Sequence, residues 1–344
     1  SHRRAFTDIL QCRTAAMGAH LYRCDRCGHK HVVYHSCKNR HCPKCQGELT
    51  DIWLDNRRQE LLATPYFHLV FTLPAELHPL VRQHQKILYG VLMKAAAHSL
   101  MELAADPRYV GGKLAILAVL HTWTRTMGYH PHTHLLVAGG GLSQDGYWVR
   151  ARRDYMVPVK ALSVIFRAVF LKMARKALPD VKIPEVPWNK SWWIDCRPAV
   201  QGTERVLQYL ARYLHKAAFS NRRLVRIENG KVTFRYQKCG QRHWRLMTLP
   251  AHEFIRRFLQ HVLPKGMHKV RYYGLWNPAN RELLRRAQLL LGTSRIPDAL
   301  HDEPNDPRDV TADGSVEQQK ICPRCRQGKL VLIEIIPRQP RAPP

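Results

Sequence analysis

A short histidine-rich stretch lies near the middle of the chain and reads Tyr129-His130-Pro131-His132-Thr133-His134-Leu135-Leu136-Val137-Ala138-Gly139-Gly140-Gly141. The apolar residues that follow His134 predict a buried β-strand. Side chains two residues apart on a strand point to the same face, so His132 and His134 form a pair. His130 is excluded from this pair because Pro131 lacks the N–H group that a central strand donates.

Two imidazoles on one face of a strand can hold a divalent metal ion that polarises a phosphate group, with a further ligand supplied from elsewhere. His68 and His121 lie in or at the ends of two other predicted strands, and each is a candidate for that ligand. A structural, hydrogen-bonded histidine is the alternative for each. Packed or solvated side chains are the alternative for the pair itself, since the chain has 20 histidines.

A second stretch predicts a helix from about Thr203 to Phe219, because apolar residues recur there at helical spacing. Tyr209 and Tyr213 are four residues apart, which brings their phenol oxygens to one locality on the helix. A phenol has a pKa near 10 and attacks phosphorus only if the developing charge is stabilised, as a metal at the histidine pair would do. Lys216 follows closely enough to neutralise a phosphate. The alternative is that Tyr209 and Tyr213 are ordinary core or surface aromatic residues and that Lys216 is a solvated charge on the helix.

The N-terminal region is rich in cysteine. Cys24-x-x-Cys27 and Cys42-x-x-Cys45 have the two-knuckle spacing of a tetrahedral zinc site, and we predict structural Zn²⁺ there. Disulfides are not expected in a cytoplasmic chain. Basic residues between the two pairs predict a surface that contacts DNA, and a purely structural zinc knuckle is the alternative. The other candidate ligands, for this ion or for a second one, are Cys12, His20, Cys37 and His41.

The histidine stretch and the tyrosine helix together resemble the HUH endonucleases that use two catalytic tyrosines. More narrowly, the chain is similar to transposases of rolling-circle insertion sequences, which join such a nuclease to an N-terminal zinc-binding region. Thr133 departs from the family pattern, which has a hydrophobic residue there, but its side chain is expected to face away from the metal. The resemblance covers most of residues 12–275 and includes Cys12-Arg13-Thr14, residues 36–46, Phe71-Thr72-Leu73-Pro74, His121-Thr122-Trp123 and Arg271-Tyr272-Tyr273-Gly274.

The resemblance implies a metal-dependent transposase that nicks and rejoins single-stranded DNA at the ends of an element and at its target. One tyrosine would form a 5′-phosphotyrosine and release a 3′-OH, and the second would act on the other junction. Mg²⁺ or Mn²⁺ is the implied catalytic ion at His132 and His134. The implied nucleophiles are Tyr209 and Tyr213, with Lys216 beside them.

Composition agrees with a nucleic-acid partner. The chain has 344 residues, with 55 Lys and Arg against 26 Asp and Glu, which gives a formal net charge of +29. This charge is unlike that of a typical metabolic enzyme and favours binding to a polyanion. No apolar run approaches the roughly 18 residues that a membrane span needs, and no signal-peptide core is visible. We therefore expect a cytoplasmic protein without membrane contact.

The predicted fold class is α+β, with an antiparallel-sheet nuclease core flanked by helices. We expect a zinc-binding domain at residues 1–55, the nuclease domain at 56–296, and a flexible linker with a C-terminal CxxC tail at 297–344. Asn229-Gly230 predicts the tight turn of a hairpin. Cys322 and Cys325 resemble half of a zinc knuckle, which either borrows ligands from elsewhere or binds nothing.

Two other functions fit parts of this pattern. A plasmid rolling-circle replication initiator would use the same chemistry, and the N-terminal zinc region favours a transposase over it. A non-catalytic zinc protein that binds and regulates DNA would need neither the histidine pair nor the tyrosines.

Overall fold

The structure is a computed structural model that describes residues 2–44, 54, 57–152, 155–185, 192–198, 218–238, 241, 243–292 and 321–340. The chain forms two compact units. The terminal unit comprises Arg3–Cys45 and Arg295–Pro344, and the central unit comprises Gln46–Ser294 with Ser1–His2. The terminal unit is thus built from both ends of the chain.

The helices and strands below are those of the described residues, in chain order. The helices are α1 (His2–Gln11), α2 (His78–Gln83), α3 (Gln85–Ala104), α4 (Val159–Ala177), α5 (Ala251–Leu259) and α6 (Arg281–Leu290). The strands are β1 (Ala19–Cys24), β2 (Lys30–Tyr34), β3 (Tyr66–Thr72), β4 (Lys113–Trp123), β5 (Tyr129–Leu142), β6 (Trp148–Arg150), β7 (Ile194–Pro198), β8 (Leu224–Glu228), β9 (Lys231–Tyr236), β10 (Arg245–Pro250), β11 (Val270–Gly274) and β12 (Leu330–Ile336).

The main sheet of the central unit is antiparallel. Within the described ranges it has six strands in the order β11-β4-β5-β3-β7, with β6 paired to the end of β5. Its three inner strands β3, β4 and β5 are nearly continuous apolar runs, which suit strands that are covered on both faces. The predicted α+β class with an antiparallel sheet is confirmed.

One face of this sheet packs against α3 and α4. The rings of Phe71 and Phe166 meet edge to face at 5.0 Å, and Phe166 meets Trp192 at 5.4 Å. Each buried side chain of this size contributes about 1.5–3 kcal/mol through removal of apolar surface from water. Of the helices in the described residues, only α3 is long and apolar enough to cross a membrane. Ten of its residues are buried, nine of them in this core, which accounts for its apolar composition.

The opposite face of the sheet has a smaller apolar cluster, in which Leu117 and Leu136 pack beneath Trp276 and α6. The glycines at the end of β5 allow neighbouring segments to approach closely. A Cβ atom on Gly139 would lie 2.6 Å from the carbonyl oxygen of Pro65, and one on Gly140 would lie 2.5 Å from that of Val149. Both approaches exclude a side chain, so the glycine run permits β6 and the segment before β3 to pack on β5.

A second, three-stranded sheet of the central unit has the order β10-β9-β8. Asn229 and Gly230 join β8 to β9 with φ values of 47° and 68°, which is the conformation of a tight hairpin turn. The predicted hairpin is therefore confirmed. Phe219 and Phe234 pack beneath this sheet with Met127, which lies in the turn between β4 and β5.

The terminal unit contains an antiparallel sheet in the order β12-β1-β2. Its outer strand β12 comes from residues 330–336, within the segment that the sequence predicted to be a linker and tail. That segment therefore contributes a strand to the N-terminal sheet. Residues 293–320, which include the predicted linker, lie outside the described residues.

Candidate metal centre

Three histidines converge on one face of the main sheet. His132 and His134 are two residues apart on β5 and point to the same side. His121 on β4 lies directly opposite His132 in the antiparallel register. One nitrogen from each of these three side chains lies within 4.8 Å of the others. Of the two candidate third ligands that the sequence offered, His121 belongs to this group of three and His68 does not.

Regular strand pairing places His121 on this face. The register of β4 and β5 is unbroken from Ile116 opposite Val137 to His121 opposite His132. His121 therefore follows Leu117 and Val119 by the ordinary alternation of side chains along a strand. The register shifts only beyond His121, where Trp123 pairs with Tyr129, and Pro131 lies beside this shift, where its missing N–H group is tolerated.

Hydrogen bonds orient the histidine rings. The Nδ1 atom of His132 lies 2.7 Å from the carbonyl oxygen of His130. A carbonyl oxygen only accepts, so Nδ1 carries the proton and donates, and the lone pair of His132 is on Nε2. His68 Nε2 and His134 Nδ1 share a hydrogen bond of 2.8 Å between nearly parallel rings. Such partners fix the tautomer and orientation of metal-binding histidines.

Two histidines of this site, His132 and His68, have lowered pKa values. Burial lowers the pKa of His132 to about 4, against the opposing effect of its hydrogen bond to His130. Burial also lowers the pKa of His68 to about 4, while the nearby Asp195 acts in the opposite direction. At pH 7 both rings are uncharged, and neutral imidazole is the form that binds a metal.

Residues around the cluster have supporting roles. Trp123 stacks on His121 with 4.6 Å between the ring centroids. Thr133 is fully buried on the opposite face of the sheet and donates to the carbonyl oxygen of Val119 at 3.3 Å. The departure of Thr133 from the family pattern therefore does not alter the face of the sheet that carries the three histidines. The sequence offered His68 as a candidate ligand and placed Trp123 in the motif His121-Thr122-Trp123, but it did not predict that His68 bonds to His134 or that Trp123 stacks on His121.

The tyrosine helix is outside the described residues, and with it Tyr209, Tyr213 and Lys216. The described chain before this segment ends on β7, where Arg197 lies opposite His68 in the register. It resumes at Ala218, next to the buried Phe219.

The cysteines of the terminal unit fall into two groups rather than the single predicted group. Cys24 and Cys27 lie with Cys322 and Cys325, and their sulfur atoms are all within 4.8 Å of one another. The second group contains Cys12, Cys37 and Cys42. Cys45 is outside the described residues.

The predicted combination of Cys24, Cys27 and Cys42 in one site is therefore not what the structure shows. The pairing of β12 with β1 brings a second CxxC motif to the first one, and this pairing was not visible in sequence. His20 instead packs against His35 with ring centroids 4.6 Å apart. The backbone N–H of His41 donates to the side chain of Asn39.

The fold and these clusters define a protein with a group of imidazoles in its central unit and groups of thiols in its terminal unit, each with side chains that could hold a metal ion. Comparison with known proteins gives the family. The family model described as "Putative transposase" matches residues 115–283, and the model described as "Transposase zinc-binding domain" matches residues 1–73. The first range contains all three clustered histidines and both tyrosines.

Two curated relatives match most of the chain. The "Putative transposase y4qJ" of Sinorhizobium fredii (strain NBRC 101917 / NGR234) is 41% identical over 357 residues, which cover 97% of this chain and 89% of that protein. The "Transposase for insertion sequence element IS801" of Pseudomonas savastanoi pv. phaseolicola is 30% identical over 285 residues, which cover 78% of this chain and 68% of that protein. No solved structure matches the chain significantly.

The chain belongs to the insertion-sequence transposase family that these relatives represent. Family membership identifies DNA as the substrate and the cleavage and transfer of DNA strands as the activity. It also identifies Zn²⁺ as a metal that the terminal unit binds. The strongly positive charge of the chain agrees with this substrate.

Proposed function

We propose that this transposase cleaves and rejoins single-stranded DNA at the ends of its element through 5′-phosphotyrosine intermediates, in rolling-circle transposition. The convergence of His121, His132 and His134 on one sheet face is the observation that carries this proposal. Three imidazoles form a ligand set that leaves coordination positions for the oxygens of a phosphodiester. Tyr209 and Tyr213 would supply the nucleophiles.

The three histidine nitrogens of the cluster favour some metal ions over others. We propose Mn²⁺ as the ion that fits best, with Mg²⁺ as a weaker substitute, because Mg²⁺ prefers sites made of oxygen ligands and water. When bound, the ion withdraws negative charge from the phosphate that is attacked. His68 and the carbonyl oxygen of His130 would hold His134 and His132 in the tautomers that ligation needs.

The proposed chemistry is a pair of transesterifications. The phenol oxygen of one tyrosine attacks phosphorus and loses its proton, and the bond from phosphorus to the 3′ oxygen breaks. The leaving 3′ oxygen keeps the bonding electron pair and takes up a proton. The second tyrosine repeats this step at another junction, and a free 3′-OH then reverses it to rejoin the strands. Each step exchanges one phosphodiester for another, so no energy source is required.

Lys216 has a supporting role in this proposal. It follows Tyr213 by three residues, a spacing that places both on one helix face if the predicted helix forms. Its ammonium group would then stabilise the phenolate or the phosphate.

The test is a gel assay for covalent complexes between the full-length protein and a single-stranded oligonucleotide that carries an element end, with and without Mn²⁺. Label placed on the 3′ side of the cleavage site should migrate with the protein, because that fragment keeps the 5′ phosphate. Tyr209→Phe with Tyr213→Phe should abolish the adduct, and His132→Ala should reduce it by at least about 100-fold. Tyr147→Phe is the matched control, since Tyr147 is an exposed tyrosine of the same unit.

An adduct that persists in the double tyrosine variant would overturn the tyrosine assignment. Binding of the oligonucleotide without any metal-dependent cleavage would instead favour the non-catalytic regulator. A replication initiator would form the same adduct, but on a plasmid origin rather than on element ends.

A further inference from the structure

The four sulfur atoms of Cys24, Cys27, Cys322 and Cys325 all lie within 4.8 Å of one another. The Cys24 and Cys325 sulfurs are 3.7 Å apart, and the Cys27 and Cys322 sulfurs are 3.8 Å apart. Four thiolates at 2.3 Å from a central zinc ion would be separated by about 3.8 Å. A disulfide requires about 2.05 Å and is excluded by these distances. We infer that these cysteines form a zinc site that joins the two ends of the chain.

Both halves of this site have the local geometry of a zinc knuckle. The backbone N–H of Cys27 points at the sulfur of Cys24 at 3.5 Å, and that of Gly328 points at the sulfur of Cys325 at 3.3 Å. N–H donors directed at a sulfur stabilise the thiolate, which is the form that binds zinc. Each loop is closed at its first cysteine, where the N–H of Cys24 donates to His29 and that of Cys322 donates to Gly328.

The two knuckles are fitted to each other. A Cβ atom on Gly328 would lie 2.4 Å from the sulfur of Cys24, so only glycine allows this approach. The side chain of Asp25 accepts from the N–H of Lys329 at 2.8 Å, and the N–H of Asp25 donates to the carbonyl oxygen of Lys329. The C-terminal loop is therefore specifically matched to the N-terminal one.

Strand β12 gains little from the burial of its side chains. It pairs with β1 from Leu330 opposite Cys24 to Ile336 opposite Ala19. Its apolar residues Val331, Ile333 and Ile335 are 49–61% exposed, so burial contributes little to holding the strand in place. A metal ion at the start of the strand supplies the attachment that the core does not.

The family match does not account for this site. The matched zinc-binding domain covers residues 1–73, which contain Cys24 and Cys27 but not Cys322 and Cys325. Cys12, Cys37 and Cys42 form a separate group within that range. The terminal unit is therefore completed by residues from beyond the central unit, and its zinc content depends on both ends of the chain.

The first test is the zinc content of the purified full-length protein, measured by mass spectrometry of the metal. Cys322→Ser with Cys325→Ser should remove one zinc ion per chain. Cys196→Ser is the matched control and should remove none, because Cys196 lies on β7 in neither group. A double variant that keeps the zinc content of the wild type would overturn the proposal.

A second test needs no variant and so does not depend on folding of the substituted chain. N-ethylmaleimide is applied briefly to the wild-type holoprotein, and the labelled cysteines are identified by peptide mass spectrometry. Cys27 has an exposed side chain that the reagent can reach. Chelation should raise the labelling of Cys27 and Cys325 together by about tenfold or more, because a metal-bound thiolate is a poor nucleophile. Equal labelling before and after chelation would overturn the proposal.

Discussion

The central and terminal units are stabilised in different ways. The sheet of the central unit is covered on both faces by apolar clusters of large side chains such as Phe71, Phe166 and Trp276. The buried hydrophobic residues of the terminal unit are mostly small ones and cysteines, for example Ala5, Ala19 and Cys12. A small unit without large buried side chains gains too little from the hydrophobic effect to fold alone. The comparison indicates that metal holds the terminal unit together, whereas the apolar core of the central unit holds its histidine cluster in place.

Removal of zinc is the strongest way to test this difference. Chelation should abolish hydrogen-exchange protection in β1 and β12 while leaving β4 protected. Structural zinc contributes about 10–16 kcal/mol in small zinc domains, which is as large as the stability of a typical domain. The measurement is amide exchange followed by mass spectrometry, with and without chelator. Protection of β1 and β12 that survives chelation would contradict the metal-held interpretation.

Core truncation should have the reverse effect. Phe166→Ala should lower the free energy of unfolding of the central unit by about 3–5 kcal/mol, because it leaves a cavity against Phe71 and Trp192. The free energy is measured by urea denaturation, and metal analysis should show unchanged zinc content. Val164→Ala on the same helix is the control, since Val164 is 70% exposed. Similar losses in both variants would show that packing at Phe166 is not the cause.

The histidine cluster should respond to its supporting residue without loss of the fold. His68→Phe keeps an aromatic ring but removes the hydrogen bond to His134. Affinity for Mn²⁺ should fall by roughly 10- to 100-fold, as is usual when the partner of a metal-binding histidine is lost. The dissociation constant is measured by titration calorimetry, and DNA cleavage should recover at saturating Mn²⁺. His98→Phe, at an exposed position on α3, is the control and should leave the affinity for Mn²⁺ unchanged. If His68→Phe also left this affinity unchanged, His68 would have no role in orienting His134.

The smallest expected effect concerns pH. Burial lowers the pKa of His261 to about 4, and the ring contacts Thr122 and the carbonyl oxygen of Met127. Below pH 6.5 the unfolded chain binds a proton that the folded protein rejects, so stability falls as pH decreases towards 4. His261→Gln removes this dependence. The wild type should therefore lose about 1 kcal/mol of unfolding free energy relative to the variant when the pH is lowered from 7 to 5.5. A difference that is equal at both pH values would show that His261 does not titrate in this way.

Sequence predicted the elements of the central unit well because its pattern is local. Apolar runs defined β3, β4 and β5, and Asn229-Gly230 defined a turn. The choice of His121 as the third histidine could not be predicted, since it depends on the pairing of β4 with β5 that sets His121 opposite His132. The partner of Cys24 and Cys27 could not be predicted either. Cys42-x-x-Cys45 is near in sequence, whereas Cys325 is 301 residues from Cys24, and only strand pairing relates them.

The pairing of β1 with β12 makes the terminal unit dependent on complete synthesis of the chain. At translation rates of about 5–20 residues per second, Cys325 leaves the ribosome roughly 15–60 seconds after Cys24. The central unit is fully synthesised within that interval, while the N-terminal strands still lack their partner. A ribosome that stops early therefore releases a protein whose central unit is complete and whose terminal sheet lacks an outer strand.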